Sequence, residues 1–193
     1  MQPVTPTFIL IAGPNGAGKS TSAPPLLSNQ YEALEFVNAD DIAKGLSAFH
    51  PEKVAILAGR ILLGRFQELA EATESFAIET TLSGRGYARH ITALKQKGYR
   101  CELIFLWLPT EELAVVRVAQ RVALGGHNIP EAVIRRRYKA GLQNFFCLYR
   151  PLADRWKFYD SSQPNPRLIA YGNSLDEFAV ESELWHNVKG PYL

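Results

Sequence analysis

Only two cysteines, Cys101 and Cys147, occur in the 193 residues. They are too few for a disulfide framework or a thiolate metal cage, so both are expected to be reduced and buried. Long apolar runs are also missing. The longest purely aliphatic and aromatic stretch, residues 103–108, falls far short of the ~18 to 20 residues that cross a bilayer. Met1-Gln2-Pro3-Val4 carries no basic residue, and the apolar run at 8–12 opens into glycine instead of a cleavage site. These absences lead to the expectation of a cytoplasmic protein with no membrane contact. No charge sign dominates either: the net charge of +2 is too small for a dedicated nucleic-acid binder.

What is present is a core-forming composition, 47% apolar and 21% charged, which excludes disordered, collagen-like and coiled-coil classes. The length fits one domain over 1–193. Charge is uneven along it. Residues 117–139 hold Arg117, Arg121, Arg135, Arg136, Arg137 and Lys139 against the single acid Glu131, a local +5 suited to a compact anionic ligand.

Strand and helix patterns alternate. Thr7–Ala12 is a short apolar β-type run followed by glycines and a helix from Lys19; residues 35–38 form a weaker second strand. Apolar positions 54, 57, 58, 61, 62, 66 and 69 mark one face of a long helix over 51–73. A third strand at 75–78 ends in Glu79, a helix covers 87–97, and residues 100–108 form the most hydrophobic strand. Thr110 suits an N-cap for a helix to about 124. Gly125, Gly126, His127 and Asn128 interrupt it, Pro130 suits the first turn of the next helix, and Pro151 should end that one. The last two strands are read at 156–159 and 167–171. Such alternation predicts an α/β fold, a mostly parallel sheet with helices on both faces.

Gly13-Pro14-Asn15-Gly16-Ala17-Gly18-Lys19-Ser20 matches G-x-x-x-x-G-K-[ST] between a strand and a helix, the context that the P-loop motif requires. Its backbone N–H groups and the helix N-terminus can wrap phosphates, with Lys19, expected to face solvent, reaching the β and γ groups and Ser20 ligating Mg²⁺. Thr21 continues the loop. No Asn-Lys-x-Asp base-reading motif of a GTPase is present. No apolar strand ends in the paired acids of a transporter ATPase, and residues 158–160 are only a weak Walker B candidate.

A small-molecule kinase needs a carboxylate near the γ-phosphate to take a hydroxyl proton. Asp40 follows the second strand and Glu79 ends the third, so both should share the sheet edge with the P-loop. The less favoured alternatives are an N-cap for Asp40 and a solvated strand end for Glu79. Arg117 and Arg121 are four apart and share a helix face, and with Arg136 or Arg137 across the glycine break they could form a lid over ATP, with His127 as a further phosphate donor.

Residues 12–20, Phe36-Val37-Asn38-Ala39-Asp40, Glu79-Thr80-Thr81-Leu82-Ser83-Gly84-Arg85, Gly125-Gly126-His127-Asn128-Ile129-Pro130 and Arg135-Arg136-Arg137-Tyr138 together resemble the zeta-toxin family of P-loop kinases over about 7–162. The resemblance implies a nucleoside-kinase-like P-loop NTPase fold with a short lid (about 117–139), and ATP and Mg²⁺ as cofactors. It also implies phosphorylation of a sugar hydroxyl, in the toxins that of UDP-N-acetylglucosamine. On this basis Asp40 would be the base, Lys19 and Ser20 the ATP and Mg²⁺ ligands, Glu79, Thr81 and Arg85 substrate-side contacts and Arg121 a lid arginine. His127 stands where the toxins place a second lid arginine. An antitoxin is a possible protein partner. A kinase resembling chloramphenicol phosphotransferase and an ATPase or switch without an acceptor are the rival readings.

Overall fold

The computed structural model describes residues 5–28, 34–126 and 128–192. The elements run β1 (Thr7–Ala12), α1 (Lys19–Ser28), β2 (Glu35–Val37), α2 (Ala39–Leu46), a 3₁₀ turn at Pro51–Val54 leading into α3 (Ala55–Glu71), β3 (Phe76–Thr80), α4 (Gly86–Gln96) and β4 (Arg100–Trp107). They continue as α5 (Glu111–Ala123), α6 (Glu131–Asn144), a π-helical turn (Phe145–Tyr149), α7 (Arg150–Leu152), β5 (Arg155–Asp160), β6 (Arg167–Gly172), β7 (Glu177–Ala179) and α8 (Ser182–Lys189). All seven strands join one sheet in the order β2-β3-β1-β4-β5-β6-β7. The first five are parallel, and β6 and β7 add antiparallel strands at one edge.

Period-two alternation sorts each buried strand onto two faces. Phe8, Leu10, Phe76, Ile78, Leu103 and Phe105 point toward α3, α4, the π turn and α8, where Leu62, Phe66, Ile91, Leu94, Phe145 and Trp185 close the core. Ile9, Ile11, Ala77, Ile104 and Leu106 point the other way, onto Ala23 and Leu27 of α1 and Ala114 and Val118 of α5. Both faces of the sheet are therefore covered, as a parallel sheet requires. Among the described residues no helix is long and apolar enough to cross a membrane.

Several local expectations are corrected. Thr110 caps α5 as its sequence indicates, its hydroxyl accepting the Leu113 N–H at 3.1 Å. Helix α6, the π turn and α7 run on without a break from Glu131 to Leu152, so the helical run stops one residue after Pro151, close to where the sequence ends it. The strand β7 and helix α8 have no counterpart in the sequence reading. Cys101 is buried, and burial pushes its thiol up to about 12, whereas Cys147 is exposed on the π turn.

Candidate active site

The carboxyl ends of β1, β2 and β3 open at one edge of the sheet, and the β1–α1 loop is wrapped there. Gly13 has φ of 147°, and a Cβ on it would lie 2.2 Å from the Leu106 carbonyl oxygen on neighbouring β4. Only glycine can enter so close to that strand. A cavity of about 780 Å³ lies over this loop, within the range of small-molecule sites. Its walls include Asn15 to Ser22, Asn38, Asp40, Asp41, Glu79, Arg117 and Arg121. The phosphate-loop residues predicted from 15 to 21 thus all border it, while Gly13 and Pro14 lie behind.

Lys19 is buried, contrary to the expectation that it faces solvent. Its ammonium donates to the Pro14 carbonyl at 3.1 Å and stands 3.7 Å from Glu79 Oε1. Burial pulls its pKa below the usual lysine range; the Glu79 carboxylate and, less strongly, Asp40 oppose this, and Arg121 adds to the lowering. Asp40, Arg121 and Lys19 therefore share one electrostatic site.

Glu79 is more than a solvated strand end. Its Oε2 accepts the Ser20 hydroxyl at 2.6 Å and the Asn38 amide at 2.9 Å. Parallel register explains the meeting: Glu79 is level with Ile11 of β1, and Asn38 follows Val37, which is level with Ile78. Glu79 thus meets Lys19 and Ser20 while also bordering the cavity. Asn38 is the residue sequence reasoning missed. It is the N-cap of α2, its Oδ1 accepting the Asp40 N–H at 2.8 Å, so Asp40 is not the cap. The cap leaves the exposed Asp40 carboxylate in the first turn of α2, where the helix dipole favours negative charge. Asp41 beside it pairs with Lys44 at 3.1 Å.

The arginines separate by reach. Arg121 borders the cavity. Arg117 also borders the cavity, and its guanidinium donates to the carbonyls of Ser161 and Ser162, each at 2.7 Å, and of Gly16 at 3.4 Å. It stitches the phosphate loop to the loop after β5. Arg117→Ala is expected to lower stability by on the order of 2 to 4 kcal/mol, because charge-assisted bonds to partly buried backbone are lost together, and to raise the KM for ATP. Urea unfolding and steady-state kinetics measure the two effects. Arg135 is held by Glu111, Glu112 and Glu131, and Arg136 is exposed. Arg137 Nη1 reaches Asn15 Oδ1 at 3.5 Å. Thr81 bonds Ser83, and neither Thr81 nor Arg85 borders the cavity. His127 lies outside the described residues. Asp160, the weak Walker B candidate, is separated from β1 by β4 and accepts the Ser162 N–H.

The sequence profile of the family described as Zeta toxin matches residues 1–160. The chain belongs to the zeta toxin family. An uncharacterized protein of Haemophilus influenzae is 32% identical over 131 residues, 67% of this chain and 91% of that one. Among solved structures, the AvrRxo1-ORF1:-ORF2 complex with ATP superposes with a TM-score of 0.73 at 18% identity, over 98% of this chain. This chain spans 65% of that neighbour's length. The PezAT toxin-antitoxin system of Streptococcus pneumoniae superposes with a TM-score of 0.67 at 15% identity, over 96% of this chain and 79% of the other. At these identities the likeness is one of fold: a mostly parallel sheet with helices on both faces.

Proposed function

We propose that the chain transfers the γ-phosphate of Mg·ATP to a hydroxyl of a small molecule, with the sugar of UDP-N-acetylglucosamine as leading acceptor. The observation that carries this reading is the placement of Asp40 and Lys19 on one cavity, one carboxylate on the β2 side and one ammonium under the phosphate loop. Phosphoryl transfer needs little covalent help from protein, so positioning and charge do most of the work. Lys19 and the loop N–H groups hold the β and γ phosphates, and Asp40 accepts the proton of the attacking hydroxyl.

The Ser20 hydroxyl and the Glu79 carboxylate fit Mg²⁺, a hard cation that takes oxygen ligands and shares them with phosphates. Among the described residues no group of three His, Cys, Asp or Glu side chains is placed to hold a metal ion. When bound, the ion neutralises phosphate charge. The protein's part is to hold Ser20, Glu79 and Asn38 together so that the Ser20 oxygen is aimed at that position. An antitoxin partner is proposed on the likeness to the PezAT system.

Arg121 brings a second positive charge to the cavity that Lys19 borders and is assigned to the transition state. Arg121→Ala should lower kcat more than it raises the KM for ATP, since charge that develops during transfer is stabilised more than the ground state. A change in KM alone would make Arg121 a ground-state ligand. The reading as a whole is tested by ADP formation with and without a panel of hydroxyl compounds that includes UDP-N-acetylglucosamine. Stimulation by an acceptor supports it, and turnover indifferent to every acceptor favours an ATPase.

A further inference from the structure

The helix α6 reaches both the phosphate loop and the loop that leaves β3, and it does so with one stripe of residues. Positions 137, 141 and 144 are spaced i, i+4 and i+7, on a single helix face. Arg137 reaches Asn15 of the phosphate loop. At Gly141 a Cβ would lie 2.7 Å from the Thr81 carbonyl oxygen, so the loop can approach only because that side chain is absent. Asn144 is buried and donates its Nδ2 to the Leu82 carbonyl at 2.9 Å.

Leu82 is the unusual member of this contact. It is buried and has φ of 57°, a left-handed conformation that a leucine adopts only when its surroundings impose it. Three further bonds fix the same turn: the Leu82 N–H donates to Thr80 Oγ1, the Thr81 and Ser83 hydroxyls pair, and the Tyr149 hydroxyl donates to the Gly84 carbonyl at 2.7 Å. Asn144 and Tyr149 are five apart and would face different ways on a regular α-helix. The intervening π turn, with its i→i+5 bonding, brings both onto the loop.

Sheet order says what this loop is for. The order β2-β3-β1 puts β3 between the strand that delivers Asp40 and the strand that delivers the phosphate loop. A hydroxyl that gives its proton to Asp40 while attacking a phosphate on Lys19 must therefore lie over the end of β3. We propose that Asn144 is a positioning residue for the acceptor: it holds the turn at 80–85, which lies directly behind the cavity wall at Glu79, in its strained form, and the α6 stripe sets the separation of that turn from the phosphate loop. The proposal rests on the phosphotransferase reading given above.

Asn144→Leu keeps the volume and removes the donor. Two measurements on the full chain decide the matter. In nucleotide-free protein, amide exchange of the segment 82–86 should rise by about tenfold or more while that of 13–18 stays within about twofold. With Mg·ATP and UDP-N-acetylglucosamine, or whichever compound of the acceptor panel the wild type phosphorylates, kcat/KM for acceptor should fall by roughly 10- to 100-fold. The KM for ATP should move by less than about twofold. Unchanged exchange at 82–86 would overturn the clamp. Loss of ATP and acceptor constants in step would overturn the positioning role and leave Asn144 merely structural. If Asn144→Leu does not fold, Asn144→Ser, whose hydroxyl is too short to reach Leu82, gives the same comparison. A wild type that phosphorylates no acceptor would contradict both the phosphotransferase reading and the acceptor-positioning role, and the exchange result would then decide only whether Asn144 clamps the turn.

Discussion

Asp40→Asn should reduce phosphoryl transfer by a factor on the order of 10² to 10⁴ while leaving ATP affinity little changed. Asparagine keeps the shape and one hydrogen-bonding oxygen but accepts no proton at neutral pH. The α2 cap should survive, because the bond at this position runs from the Asp40 backbone N–H to Asn38, not from the Asp40 side chain. Asp41→Asn is the internal control. Both aspartates border the cavity, but Asp41 is paired with Lys44 on the exposed side of the helix, so its loss should be far milder. Transfer rates and nucleotide titrations on the two variants check the assignment. If Asp41→Asn were the crippling change, the base would be off by one position. If neither mattered, Asp40 would be an ordinary first-turn acid. Glu79 is a poor substitute, since its carboxylate is already committed to Ser20 and Asn38.

Lys19→Ala should abolish most nucleotide-dependent activity, by on the order of 10² to 10³ in kcat, the range for removing one preorganised donor from a developing anion. The fold should persist, for a reason that only the three-dimensional arrangement supplies. Lys19 is buried, and its lowered pKa means that burial of the charge costs more than its pairing with Glu79 returns. Glu79 retains its bonds from Ser20 and Asn38 when the lysine is gone. Circular dichroism and thermal unfolding of the variant beside its ADP production test both halves. Mg·ATP turnover equal to that of wild type in a folded variant would remove the phosphate loop from the mechanism.

The phosphate loop was legible because its chemistry is local. A strand, a run of glycines and a helix start are encoded within fourteen contiguous residues from Thr7 to Ser20, and Gly13 is required by the nearness of Leu106. The end of β3 that bears Glu79 and the helix start after β2 that bears Asp40 were legible for the same reason. What each side chain meets is set by register between strands far apart in sequence, and here the reading fell short. Glu79 as a partner of Ser20 depends on β1 and β3 being level, and nothing local announces it. Asn38 did leave a signal, an asparagine just before a helix with Asp40 and Asp41 in its first turn, but the acids drew the reading away from it. The spacing of Arg117 and Arg121 placed both on one helix face. It could not say that Arg117 finds the carbonyls of Ser161 and Ser162, which arrive from the end of β5. Strand β7 escaped notice because its three residues are exposed, and α8 because Trp185 is its single buried side chain. The π turn has no local sequence signal.

The central claim is that a carboxylate on the β2 side and a phosphate loop on β1 act on the same reaction. The most direct test follows the label from [γ-³²P]ATP in the presence of Mg²⁺ and the acceptor panel, with wild type, Lys19→Ala and Asp40→Asn side by side. The account predicts labelled phosphate on an acceptor hydroxyl with wild type, loss of that product with both variants, and retained ATP binding with Asp40→Asn. Label released only as inorganic phosphate, at a rate that Asp40→Asn does not change, would contradict it.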